Sequence, residues 1–141
     1  MQSIWTNCKI PARPRLASDI ETDVAVIGGG MAGILIAYQL AQRGIDVVVL
    51  EAERIGSGQT AGTTAKITAQ HGHVYARLIE QCGNERAEQY ALANLAAIEA
   101  FESIVERESI PCDFERKPAF LYASQGTAAL ESEVAAAQSL G

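Results

Sequence analysis

Histidine, cysteine, tryptophan and positive charge are all scarce in this chain, and each scarcity excludes something. The two histidines, His71 and His73, are too few for a histidine-rich metal centre. The three cysteines, Cys8, Cys82 and Cys112, have no C-x-x-C spacing. They supply neither a disulfide framework nor a zinc site, so no metal ligand is read from the sequence and a reducing cytoplasm is the expected location. Lys plus Arg number 11 against 17 Asp plus Glu, a formal net charge of −6. An acidic chain without a basic cluster argues against nucleic acid as partner. It leaves an anionic small molecule open, because backbone N–H groups bind phosphate without net positive charge. No apolar run approaches the roughly 18 residues of a membrane span, and Met1–Ile10 lacks the apolar core of a signal peptide. With 48% hydrophobic and 20% charged residues in 141, the composition is that of one folded domain and excludes a disordered tail.

Three regions follow along the chain. Residues 1–22 read as an N-terminal arm. Pro11, Arg13, Pro14 and Arg15 make a stiff, extended stretch, and Trp5 is expected to pin it to the body. Residues 23–70 carry the sharpest pattern. Val24–Ile27 is a short apolar run ending in three glycines and reads as a strand buried on both faces. Met31–Arg43 is a helical stretch, with Gly44 placed as its C-terminal cap. Val47–Leu50 is β-branched and reads as a second buried strand. The expectation is a βαβ unit with parallel strands, followed by a small polar loop rich in Gly, Ser and Thr up to residue 70.

Residues 71–141 read as a helical segment that opens a further domain. Tyr75–Cys82 is a short helix stopped near Gly83, and Asn84 is placed as N-cap of a longer helix to about Glu108. Tyr90, Ala97, Ile98, Phe101, Ile104 and Val105 share one face of that helix. Glu85, Glu88, Glu99, Glu102 and Glu106 lie opposite, on what is read as a solvated face. Phe114–Ala123 suggests a strand pair around Lys117-Pro118, and Thr127–Leu140 returns to a helical pattern.

The chemistry sits in residues 23–51. Gly28-x-Gly30-x-x-Gly33 lies where a strand becomes a helix. Gly28 permits the tight turn, Gly30 lets the backbone approach a pyrophosphate, and Gly33 lets the helix pack on the strand. The free N–H groups at the helix start then receive a diphosphate. Glu51 ends the second strand, eighteen positions after Gly33. It is placed to accept hydrogen bonds from an adenosine ribose and to repel a 2′-phosphate, which leaves FAD or NAD rather than NADP.

These residues resemble a family. Thr22–Gly33, then Ala37 and Leu40, then Gly44–Glu51 look like the start of FAD-dependent oxidoreductases of the D-amino-acid oxidase and glycine oxidase type. The stretch Glu51–Thr60 and the Gly62-Thr-Thr-Ala65 segment strengthen the likeness. The chain is also similar to a subgroup carrying a C-terminal Rieske iron–sulfur domain, through Ser3-Ile-Trp5, Gly62–Ala65 and Ile110-Pro-Cys-Asp-Phe114. The resemblance implies an α/β fold: a Rossmann-like FAD-binding unit, following helices, and the start of a substrate-domain sheet at residues 112–124. It implies that Gly28, Gly30, Met31, Ala32 and Gly33 cradle the diphosphate of FAD. Glu51 would hold the ribose with Ala52 and Arg54 beside it, and Thr60, Thr63 and Thr64 would run towards the flavin, with Lys66 near its ring or on the surface.

The reaction implied is oxidation of an amine or amino-acid-like small molecule. No catalytic residue is identifiable. An NAD-dependent dehydrogenase and a non-catalytic interaction module are the alternatives; the Gly56–Ala65 loop favours FAD. Family members run to several hundred residues, so the chain is expected to be an N-terminal piece, inactive alone, with any [2Fe-2S] cluster elsewhere. Self-association through uncovered apolar faces is also expected.

Overall fold

A computed structural model describes residues 10–141. The readings of Trp5, Ser3-Ile-Trp5 and Cys8 fall outside the described residues. The chain divides into two compact units between Lys66 and Ile67.

In the first unit, strand β1 (Val24–Ile27), helix α1 (Met31–Ala41) and strand β2 (Val47–Leu50) follow in order, as expected. The strands pair in parallel, Val24 opposite Val47 through to Ile27 opposite Leu50. Their starting ends are tied together outside the ladder. The Asp46 N–H donates to Asp23 Oδ2 at 3.2 Å, and the Thr22 hydroxyl donates to the Asp46 carbonyl at 3.0 Å. Helix α1 ends as its sequence requires. The N–H of Gly44 reaches the Ala41 carbonyl and that of Ile45 reaches Leu40, a Schellman pair that needs the left-handed backbone of Gly44 at φ +73°.

One expectation is corrected here. The strands are not buried on both faces. Val24 and Val26 are half-buried on the side that takes α1, whereas Ala25 and Ile27 alternate to the opposite side, where Ile27 is 78% exposed. An apolar run licenses burial on two faces, but burial needs two covering layers, and opposite Ile27 the described residues place only the exposed arm 10–17 across an open cleft.

The second unit is helical: α2 (Tyr75–Cys82), α3 (Asn84–Arg107) and α4 (Ala128–Ser139). Its core is small, made of Val74, Tyr75, Ala87, Ala91 and Leu140. Ala87 is fully buried, and Tyr75 and Tyr90 meet edge to face with ring centres 6.3 Å apart. Asn84 proves to be the first helical residue rather than the cap; Gly83 precedes it in a non-helical conformation. Of the face read as apolar, Ile98, Phe101, Ile104 and Val105 are half-buried and Ala97 is exposed. The acidic face holds more than water. The Arg116 guanidinium sits between Glu99, at 2.8 Å, and Glu102, which it engages with both Nε and a terminal nitrogen. That ion pair lowers the Glu102 carboxyl and raises Arg116, hydrogen bonding being the chief cause.

The strand pair expected over Phe114–Ala123 does not form, and neither does a sheet over 112–124. The segment has no regular secondary structure and pairs with no strand among the described residues, leaving Phe120 and Tyr122 81% and 83% exposed. A strand-like residue pattern is not enough; a ladder also needs a partner, and Pro118 removes one donor.

The tie between α4 and α2 was invisible in the pattern. Glu133 of α4 is only 4% exposed. Its Oε1 accepts the N–H groups of Val74 and Tyr75 at 2.9 and 2.8 Å, and its Oε2 that of Ala76 at 2.9 Å. A side chain 57 to 59 positions away thus satisfies the orphan donors at the start of α2. Glu133→Ala strands these three amides and is expected to cost about 2 kcal/mol or more, with Glu133→Gln intermediate; urea unfolding followed by circular dichroism measures both. Equal midpoints for Glu133→Ala and the parent chain would contradict the tie.

Candidate cofactor site at the start of helix α1

Between β1 and α1 the backbone turns through Gly28, whose φ of +103° is closed to most side chains. The turn delivers α1 so close to the strand that a Cβ on Gly33 would lie 2.0 Å from the Gly28 carbonyl oxygen. Only hydrogen fits there, as the sequence reading requires. Gly30 differs. A Cβ there would meet one atom, Thr60 Oγ1, at 3.3 Å, a tight contact that a small shift of the Thr60 side chain relieves.

The hydrogen bonds sort the donors of the turn. The Gly28 N–H donates to the Leu50 carbonyl at 2.7 Å, and the Gly29 N–H to Glu51 Oε2 at 2.7 Å. The Met31 N–H donates to the Thr60 hydroxyl at 3.0 Å. The N–H groups of Gly30, Ala32 and Gly33 have no protein acceptor among the described residues. They stand at the positive end of α1, which has no side-chain cap. Of the five residues expected to cradle a diphosphate, three therefore offer free donors. Gly28 and Met31 spend theirs on holding the turn and the loop.

Glu51 does two things. Besides Gly29, its carboxylate accepts the Glu53 N–H at 2.9 Å through Oε1. These backbone bonds, Glu53 first and Gly29 next, hold its pKa below the ordinary 4.5. A carboxylate has about four acceptor positions, so both oxygens keep capacity for a ribose hydroxyl. Ala52 and Arg54 follow as exposed residues, and with Glu51 they line a cleft of about 990 Å³.

The loop after β2 folds back over the turn. The Gly56 N–H donates to the Gly29 carbonyl at 2.8 Å, and Thr60–Gly62 forms a single 3₁₀ turn. Thr63 donates its hydroxyl to the Thr60 carbonyl at 3.1 Å, while Thr64 and Lys66 are exposed. The structure thus brings Thr60 to the helix start and leaves Thr64 and Lys66 at the surface of the loop. Ala65 holds φ +60°, a conformation uncommon without glycine.

Sequence reasoning gave Gly29 no steric role. A Cβ there would lie 2.4 Å from Ile55 Cδ1 and 3.1 Å from Glu51 Cβ. Gly29 is what allows Glu51 and its loop to close on the turn. The signal was present: the motif asks for two glycines here, and the sequence has three in a row.

The turn suits a dinucleotide diphosphate on two structural grounds, the free donors and the bare backbone at Gly30, which presents no side chain to a ligand. The FAD-dependent oxidoreductase family matches residues 23–141. The chain belongs to that family. The resemblance read from the sequence is borne out, and FAD, the cofactor of the family, takes precedence over NAD.

Individual relatives agree. The chain is similar to YhfW of Bacillus subtilis, named as a Rieske 2Fe-2S iron–sulfur protein. The two are 41% identical over 128 residues, covering 90% of this chain and 25% of YhfW. It is 31% identical over 99 residues to the gamma-glutamylputrescine oxidoreductase of Escherichia coli, covering 70% of this chain and 23% of that enzyme. It is also 31% identical to the oxidoreductase OrdL of Haemophilus influenzae, over 73% of this chain and 24% of OrdL. The chain therefore spans about a quarter of the length of these curated relatives. No solved structure matches it. No helix among the described residues is long and apolar enough to cross a membrane.

Two outcomes follow from the geometry. Gly33→Ala drives a methyl into the Gly28 carbonyl and destabilises the chain by about 1–3 kcal/mol, whereas Gly30→Ala leaves the thermal midpoint nearly unchanged. The second concerns acid. Because the folded pKa of Glu51 is depressed, its stabilisation is fully present above the unfolded value. It is lost as pH falls through the folded one. Glu51→Gln is thus expected to be less stable than the parent at neutral pH and to lose less stability between pH 5 and 3, measured by urea midpoints across that range.

Proposed function

We propose that this chain is the cofactor-binding region of a flavoenzyme that oxidises an amine or amino-acid-like substrate. The observation that carries the reading is the trio of unpartnered N–H groups, Gly30, Ala32 and Gly33, at an uncapped helix start beside Glu51. In this reading those donors take the FAD diphosphate. The Thr60 hydroxyl, which accepts from Met31, turns its own proton to a phosphate oxygen. Glu51 holds the adenosine ribose, its oxygens already aimed by Gly29 and Glu53, and its charge rejects a 2′-phosphate. Thr63 and Thr64 continue the loop towards the flavin. When bound, the flavin supplies the two-electron acceptor; the protein binds, orients and tunes it.

The substrate class is supported by the gamma-glutamylputrescine oxidoreductase, whose name states an amine-derived substrate. A Rieske [2Fe-2S] partner domain outside these residues is supported by the name of YhfW. The exposed thiols of Cys82 and Cys112 suit a reducing cytoplasm. The exposed apolar side chains away from the cleft, Phe120 and Tyr122 among them, suit self-association through uncovered apolar surface.

The test is flavin content. The parent protein, purified and saturated with FAD, is expected to retain a yellow chromophore absorbing at about 450 nm. Gly30→Val is expected to lose it, because its side chain takes the space of the diphosphate; since its Cβ also presses on Thr60 Oγ1, the thermal midpoint of the flavin-free variant is measured beside it to separate lost binding from lost folding. Glu51→Ala should weaken FAD binding by about 1–3 kcal/mol. Equal flavin content in parent and Gly30→Val would refute the site.

A further inference from the structure

The N-terminal arm has no part in the motif, yet it builds one wall of a cleft. Residues 10–17, eight in succession, line the same 990 Å³ space as Glu51 and the residues after it. The floor comes from the carboxyl ends of the strands, Ile27 and Leu50, where ligands of parallel α/β sheets bind. Ile10 anchors the arm at one end: a Cβ on Gly56 would meet Ile10 Cδ1 at 3.1 Å. Gly56 itself donates to the Gly29 carbonyl, so arm, loop and glycine turn are tied in one series. Pro11 and Pro14 stiffen the crossing. Arg13, Arg15 and Arg54 all line the cleft and form no ion pair with any described residue.

We infer that the arm is a cofactor-binding element: residues 10–17 close over the adenosine half of the dinucleotide, with an arginine plane available to the purine face. The inference rests on the proposed cofactor site and adds a wall to it. Glu51 belongs to both places, bonded to Gly29 in the turn and lining the cleft. A diphosphate at the start of α1 with its ribose at Glu51 therefore directs adenine into the space beneath the arm. The volume suffices for it, and guanidinium groups stack on aromatic planes.

ADP is the probe, since it carries the adenosine and diphosphate without the flavin. Trypsin cuts the exposed Arg15–Leu16 bond in the arm and the Arg43–Gly44 bond at the far end of α1. At a concentration about ten times its Kd, ADP is expected to slow cleavage at Arg15–Leu16 about tenfold. Cleavage at Arg43–Gly44 should slow less. A chain lacking residues 1–17 should bind ADP about tenfold more weakly while keeping its affinity for inorganic pyrophosphate. Equal slowing at both bonds, or unchanged ADP affinity without the arm, overturns the inference and leaves the cofactor site standing. Failure of ADP to bind at all overturns both.

Discussion

Everything in the first unit depends on one close approach: the first turn of α1 against the Gly28 carbonyl. A hydrogen at Gly33 fits and a methyl does not. That contact fixes how near the helix start lies to the carboxyl end of β1, and so where its free amides stand. The Schellman pair at Gly44 returns the chain to β2, and β2 carries Glu51 back to the same turn. The site is thus a closed circuit of backbone, with one carboxylate joining its two ends at 2.7 Å.

The two units show two fates for a helix start. Both α1 and α2 begin with orphan amides, and neither has a local side-chain cap. In α2 the protein supplies its own anion, Glu133, whose oxygens take three N–H groups. Its polar capacity is spent on holding α4. In α1 the loop supplies only a neutral hydroxyl, Thr60, to one amide, and three remain. The two termini thus differ in what they meet: a buried carboxylate that joins α2 to α4, or an uncharged hydroxyl that leaves three amides unpaired.

Much of the first unit is legible in the sequence. The elements from Val24 to Leu50, their parallel pairing and the special place of Gly33 follow from a short-range code of apolar period and glycine position. Readings that needed a partner fared worse. Val24–Ile27 is apolar enough for two covered faces yet has one, and Phe114–Ala123 is strand-like yet pairs with nothing described. Both failures have one cause. Burial and ladder bonds are properties of pairs of segments, and a pattern within one segment is silent about its neighbour.

The sequence by itself determined the βαβ order, the glycine turn and the acidic end of β2, because these rest on residues within a few positions of one another and on steric limits each obeys alone. Tertiary structure decided which amides stay free. Met31 loses its donor to Thr60 and Gly29 to Glu51, 29 and 22 positions away, and Glu133 finds α2 across more than fifty residues. Such bonds depend on where the folded backbone returns, a distance in space that no local spacing encodes.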